Sequence, residues 1–115
     1  DKLTLVICWA SWCSPCIRDA CDIIPIYNEY RNRGLNVFSL AHEFKSTDAM
    51  RKAVERHAFP WLCLVALDDE FGVFRKHGTQ NSALFLIDRD GTIIAVPNSV
   101  EELKEKLEEI FPDNK

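Results

Sequence analysis

From Leu3 to Trp9 the chain reads Leu-Thr-Leu-Val-Ile-Cys-Trp, apolar at every position but Thr4. A run this short does not make a free-standing helix, and a strand with no apolar/polar alternation is buried on both faces. Such a strand needs covering layers above and below its sheet, which in a single chain means helices. Ser14-Pro15 follows almost at once, and this pair suits the first turn of a helix, where proline loses nothing by lacking an N–H. The chain is therefore expected to open with a buried strand that turns sharply into a helix.

The remaining segments extend that pattern. Ile17, Ala20, Cys21, Ile24, Tyr27 and Tyr30 fall at helical spacing, Gly34 ends the helix after Arg33, and Pro25 within it predicts a kink. Leu35–Ala41 reads as a second strand, Ser46-Thr47-Asp48 as the cap of a helix running to about His57, and Trp61–Leu67 as another buried strand. A short helix is expected from about Asp69 to Lys76, closed by Gly78. Ala83–Asp88 then leads through Asp90-Gly91 into Thr92–Val96 as a hairpin. Ser99 caps the last helix, in which Val100, Leu103, Leu107 and Ile110 form one apolar stripe opposite a run of glutamates. The order β-α-β-α-β-α-β-β-α predicts an α/β fold with a mixed sheet and helices on both faces, and the whole of 1–115 reads as one domain.

With 115 residues, 47% of them hydrophobic and 28% charged, the chain can bury a core without disulfide staples. The net charge of −4, with dispersed basic residues, argues against nucleic acid or anionic lipid as partner. No run reaches membrane-spanning length, and Asp1-Lys2-Leu3 carries no leader, so a signal segment is expected to be absent or already removed. Five cysteines, at 8, 13, 16, 21 and 63, cannot all pair within a monomer, which excludes a disulfide scaffold.

Two of them carry the chemistry. Cys13 and Cys16 flank Ser14-Pro15 where strand becomes helix, so the first thiol meets unpaired backbone N–H groups that favour its thiolate form. A thiolate there can attack a substrate disulfide, and Cys16, one turn on, can resolve the mixed disulfide by attacking Cys13. No cofactor and no metal are needed. A structural zinc site would require four ligands, and there is no second Cys-x-x-Cys or close Cys/His pair. His42, His57 and His77 are expected at the surface or at helix ends, Cys8 and Cys63 as small core residues, and Cys21 as packing or an accessory thiol.

Trp9-Ala10-Ser11-Trp12-Cys13-Ser14-Pro15-Cys16 closely resembles the WAxWCxPC signature of the thioredoxin superfamily. The rest is similar to the TlpA/ResA branch and, at Phe59-Pro60-Trp61-Leu62, to tryparedoxins and nucleoredoxins. The resemblance implies a thioredoxin-like fold with a helix-strand unit inserted from Ser46 to about Leu67, lacking the usual N-terminal hairpin. It also implies a thiol-disulfide oxidoreductase acting on protein or small disulfides with a thiol electron partner. Cys13 and Cys16 would be catalytic, with Trp12 and Pro15 facing substrate. Ile7 stands where classical thioredoxins bury an aspartate; Asp19, three positions after the second cysteine, takes the place of the branch's acidic residue. Ser82 stands where the family has its cis-proline, so Asn81 and Ser82 are expected to face substrate, with a trans bond between them.

The favoured expectation is a monomeric oxidoreductase of a bacterial periplasm or cell envelope; a cytoplasmic, tryparedoxin-like reductase is the nearest alternative. A thioredoxin-fold binding module that has lost turnover is the alternative from another class.

Overall fold

The computed structural model describes residues 3–76 and 82–112. Five strands form one sheet in the order β3-β2-β1-β4-β5: β1 Leu3–Trp9, β2 Leu35–Glu43, β3 Leu62–Leu67, β4 Ala83–Asp88 and β5 Ile93–Ala95. β1 lies at the centre, parallel to β2 and antiparallel to β4; β3 is parallel to β2, and β5 antiparallel to β4. The mixed sheet expected from the element order is the one observed.

Alternate residues of β1 feed two cores. Leu3, Leu5, Ile7 and Trp9 pack with helix α1 (Ser14–Tyr30), helix α2 (Asp48–His57) and helix α4 (Val100–Ile110). Val6 and Cys8 point the other way and, among the described residues, share a buried cluster with Ala66 and Phe74, Phe74 belonging to helix α3 (Val73–Lys76). Both faces carry helix, but very unequally. Burying a Leu or Ile side chain contributes about 1.5–3 kcal/mol, so the face holding Ile23, Leu103 and Leu107 supplies most of the stabilisation.

Several local expectations need correction. The buried stripe of α1 is Cys16, Ala20, Ile23, Ile26 and Tyr30, while Ile17, Cys21, Ile24 and Tyr27 flank it half-buried. α1, with Pro25 inside it, ends at Tyr30 rather than Arg33, and the 3-10 turn Arg31–Arg33 takes over; Gly34, at φ 115°, then turns the chain into β2. β3 is not a buried strand: it is the sheet's edge, and Leu62 and Leu64 are exposed. Asp69 precedes α3 and caps it, accepting hydrogen bonds from the Phe74 and Arg75 amides; Gly78 lies outside the described residues. The hairpin strand is shorter than Thr92–Val96, its turn held by Asp88 Oδ1, which accepts from the Asp90 and Thr92 amides, with Gly91 at φ 86°. At α2 the N-cap is Thr47, with no side-chain bond to the helix, while Ser46 Oγ accepts from the Asp48 amide.

The last helix matches its sequence signature. Ser99 Oγ accepts from the Glu102 amide at 3.1 Å, and Glu102 Oε2 reaches back to the Asn98 amide at 2.8 Å, a reciprocal cap worth about 1 kcal/mol.

Candidate active site

The site forms where β1 leaves the sheet. Trp9 and Ala10 are fully buried, anchoring the chain before it turns out. The Cys13 amide donates to the Ala10 carbonyl at 3.0 Å, and the Cys13 carbonyl accepts from the Ile17 amide at 3.2 Å. Cys13 therefore sits in extended geometry as the N-cap of α1, with Pro15 in the first turn and no acidic residue there to offset the dipole's positive end. Cys13 and Cys16 are joined by a disulfide, their Cα atoms 5.3 Å apart. Cys13 is half-buried, whereas Cys16 is 3% exposed. The sulfur nearer the helix start is thus the one a partner can reach.

A cleft of about 260 Å³ adjoins the pair, lined by Cys16, Asp19, Ile7, Ser82, Pro97 and Asn98 among others. Asp19 is an exposed residue bordering this cleft. Burial of its carboxyl against the wall, and then repulsion from Asp22, push it above the usual aspartate value, against the pull of Arg18. Ile7, at the classical aspartate's place, lies in the same cleft, which brings the substituted position and Asp19 together. Ser82 is exposed at the cleft's edge, immediately before β4; Asn81 and the Asn81–Ser82 bond lie outside the described residues.

Trp12 is 53% exposed, its ring centroid 6.3 Å from that of Phe44, itself 52% exposed. Pro15 is exposed as well. Below them the buried Glu43 carboxylate accepts two hydrogen bonds from Ser11, one from the amide at 2.7 Å and one from Oγ at 2.6 Å. Sequence reasoning missed Glu43 and Phe44 by ending β2 at Ala41. The available signal was periodicity: Leu35, Val37, Ser39 and Ala41 alternate inward, and continuing the alternation puts Glu43 inside and Phe44 outside.

The other thiols differ from the pair. Cys8 is buried, and burial pushes its thiol up to about 11. Cys63 is half-buried on the edge strand and packs against the larger core, its Sγ donating to the Trp61 carbonyl at 3.4 Å, and burial raises its thiol too. Cys21 Sγ lies 3.6 Å from His57 Nδ1, and burial, then Asp22, raise the Cys21 thiol. His57 ends α2, as expected, and stacks on Phe59, whereas His42 lies within β2 and is packed rather than free at the surface, stacked on Phe74 with centroids 4.1 Å apart. His77 lies outside the described residues.

Known proteins share this fold. The chain is 30% identical over 105 residues to the thiol-disulfide oxidoreductase ResA of Bacillus thuringiensis subsp. konkukian, a match covering 88% of this chain and 57% of that protein. It thus spans little more than half the length of the ResA relatives it matches. Its fold superposes on a thiol:disulfide interchange protein from Bacteroides sp. with a TM-score of 0.85, at 21% identity, covering 99% of this chain and 76% of that one. A secreted disulfide oxidoreductase of Mycobacterium tuberculosis superposes with a TM-score of 0.71, at 21% identity, covering 92% of this chain and 80% of that one. The fold is the thioredoxin-like one that the octapeptide implied. Residues 1–96, from the central strand through the hairpin, match the AhpC/TSA family, and to that family the chain belongs.

Proposed function

We propose that the chain is a thiol-disulfide oxidoreductase working by dithiol-disulfide exchange through Cys13 and Cys16. The observation that carries this reading is the bonded pair at the start of α1, with Cys13 half-open and Cys16 closed off. In the reduced protein the Cys13 thiolate attacks one sulfur of a substrate disulfide, forming a mixed disulfide and releasing the other sulfur as a thiolate. Cys16 then gives up its proton and attacks Cys13 Sγ; the second substrate thiolate leaves, and the Cys13–Cys16 disulfide remains. Two electrons have passed to the substrate, and a dithiol partner returns them.

Asp19, on the same cleft as Cys16, is the group that takes the Cys16 proton. Trp12, Pro15 and Ser82 form the surface offered to substrate. The partners are protein disulfides and a thiol electron donor, and the chain acts as a monomer. The resemblance to the ResA branch and the secreted mycobacterial neighbour favour an extracytoplasmic, envelope location. In an insulin-reduction assay driven by dithiothreitol, the protein should accelerate precipitation and Cys13→Ser should not; a wild-type rate equal to that of dithiothreitol alone would sink the reading.

A further inference from the structure

Ser11 gives both its backbone N–H and its hydroxyl to one carboxylate, that of Glu43, which is 32 residues away in sequence and 3% exposed. Nothing in forming β2 requires this. A carboxylate at the last inward position of a strand is costly to bury, and two short hydrogen bonds to it are among the stronger ones a protein makes. What the bonds restrain is the turn Ala10-Ser11-Trp12-Cys13. Ala10 is buried at one end, the Cys13 amide is tied to the Ala10 carbonyl at the other, and Ser11 between them is clamped to the sheet. The residue just after β2, Phe44, is exposed and meets Trp12. The same stretch of chain therefore holds Ser11 from below and flanks Trp12 from the side.

We propose that Glu43 is a positioning residue for the exchange reaction. Through Ser11 it fixes the turn that presents Cys13 and sets Trp12 against Phe44, so that an extended substrate polypeptide meets a preformed surface beside the reactive sulfur. Glu43 acts through Ser11, whose amide and hydroxyl both donate to it. The inference rests on the exchange function proposed above and separates substrates by size. A protein disulfide must dock on the turn, whereas a small aromatic disulfide such as 5,5′-dithiobis(2-nitrobenzoate) needs only access to Cys13.

Releasing the clamp should cost about tenfold in kcat/KM for insulin, the scale expected when a docked substrate is misplaced by a fraction of an ångström. The rate with the small aromatic disulfide should stay within about twofold, because that reaction does not depend on the oriented surface. Glu43→Ala, Ser11→Ala and Glu43→Gln are compared with wild type in both assays. Glu43→Gln retains an acceptor for the Ser11 amide and offers a donor to Ser11 Oγ, so it should restore most of the insulin rate. Ser11→Ala keeps the amide bond and should lose a smaller share than Glu43→Ala. An unchanged insulin-to-small-disulfide ratio in Glu43→Ala would overturn the proposal. Should Glu43→Ala lose its cooperative thermal transition, the decision passes to the other two variants. Ser11→Ala at the wild-type ratio, or Glu43→Gln impaired in both assays alike, would then overturn it. A wild-type protein inactive on both substrates would instead defeat the exchange function itself.

Discussion

The two faces of the sheet are built to different depths. On one, three helices close over Leu5, Ile7 and Trp9, and α1 carries Cys16 into that same core. On the other, among the described residues, the helix Val73–Lys76 lays Phe74 against Val6, Cys8 and Ala66, with Phe38, Leu40, Phe85 and Ile87 half-covered. The contrast shows where the fold invests its rigidity. The reactive pair is seated on the thick face, where a displaced helix start would disturb many contacts. The cleft beside the pair draws on both faces, taking Ile7 from one and Cys8 from the other.

The largest effect that would break this comparison is on stability. Leu107→Ala, at a fully buried position on the thick face, should cost about 2–5 kcal/mol, while Phe38→Ala on the thin face should cost about 1–2 despite removing a larger side chain. Urea unfolding followed by circular dichroism checks this, and equal losses would mean that the faces are not unequal in energy. A second test uses Cys8. In the folded protein its thiol keeps its proton to about 11, whereas an unfolded chain begins to release it near the ordinary 9.0. The stabilisation is complete below pH 9 and is lost as pH rises toward 11, a drop of about 3 kcal/mol that ends there. Cys21, Cys63 and Tyr30 are raised as well, so the reading is the difference between wild type and Cys8→Ala, whose alkaline drop should be smaller.

The smallest effect concerns the cleft. With its carboxyl raised, Asp19 holds a proton to higher pH than an ordinary aspartate, and only the carboxylate can accept the Cys16 proton. The wild-type rate should therefore climb as pH rises through the Asp19 value. Asp19→Asn should lower single-turnover reduction about tenfold, below the usual range for general bases because the group is exposed, and should flatten that limb. An Asn variant with the wild-type pH profile would remove Asp19 from the proton path.

Much of this was legible in the sequence because the decisive signals are local. Leu3–Trp9 followed by Ser14-Pro15 places a helix start directly after a buried strand, and the cysteine spacing puts both sulfurs on its first turn. Ser99 with Glu102 marks α4 for the same reason. What escaped depends on distant pairing. Trp61–Leu67 is as apolar as β1, yet only the strand order reveals that β3 has one neighbour and leaves Leu62 and Leu64 open. The stripe of α1 could not be phased from spacing alone, since Ile23 and Ile24 are equally apolar and the sheet decides which faces in. Glu43 was hidden because a charge just past an apolar run reads as a solvated strand end; its partner Ser11 is remote in sequence. The Cys21–His57 contact joins α1 to the end of α2 and has no local signature.

The most direct test of the exchange account is trapping. Reduced Cys16→Ser, given a disulfide-bonded protein substrate, keeps the attacking sulfur but loses the resolving one. It should accumulate a mixed disulfide, with the substrate peptide attached to Cys13 in a non-reducing tryptic digest, while Cys13→Ser should accumulate none. An adduct on Cys21 or Cys63 in place of Cys13, or no adduct in either variant, would contradict the assignment of Cys13 as the attacking thiol.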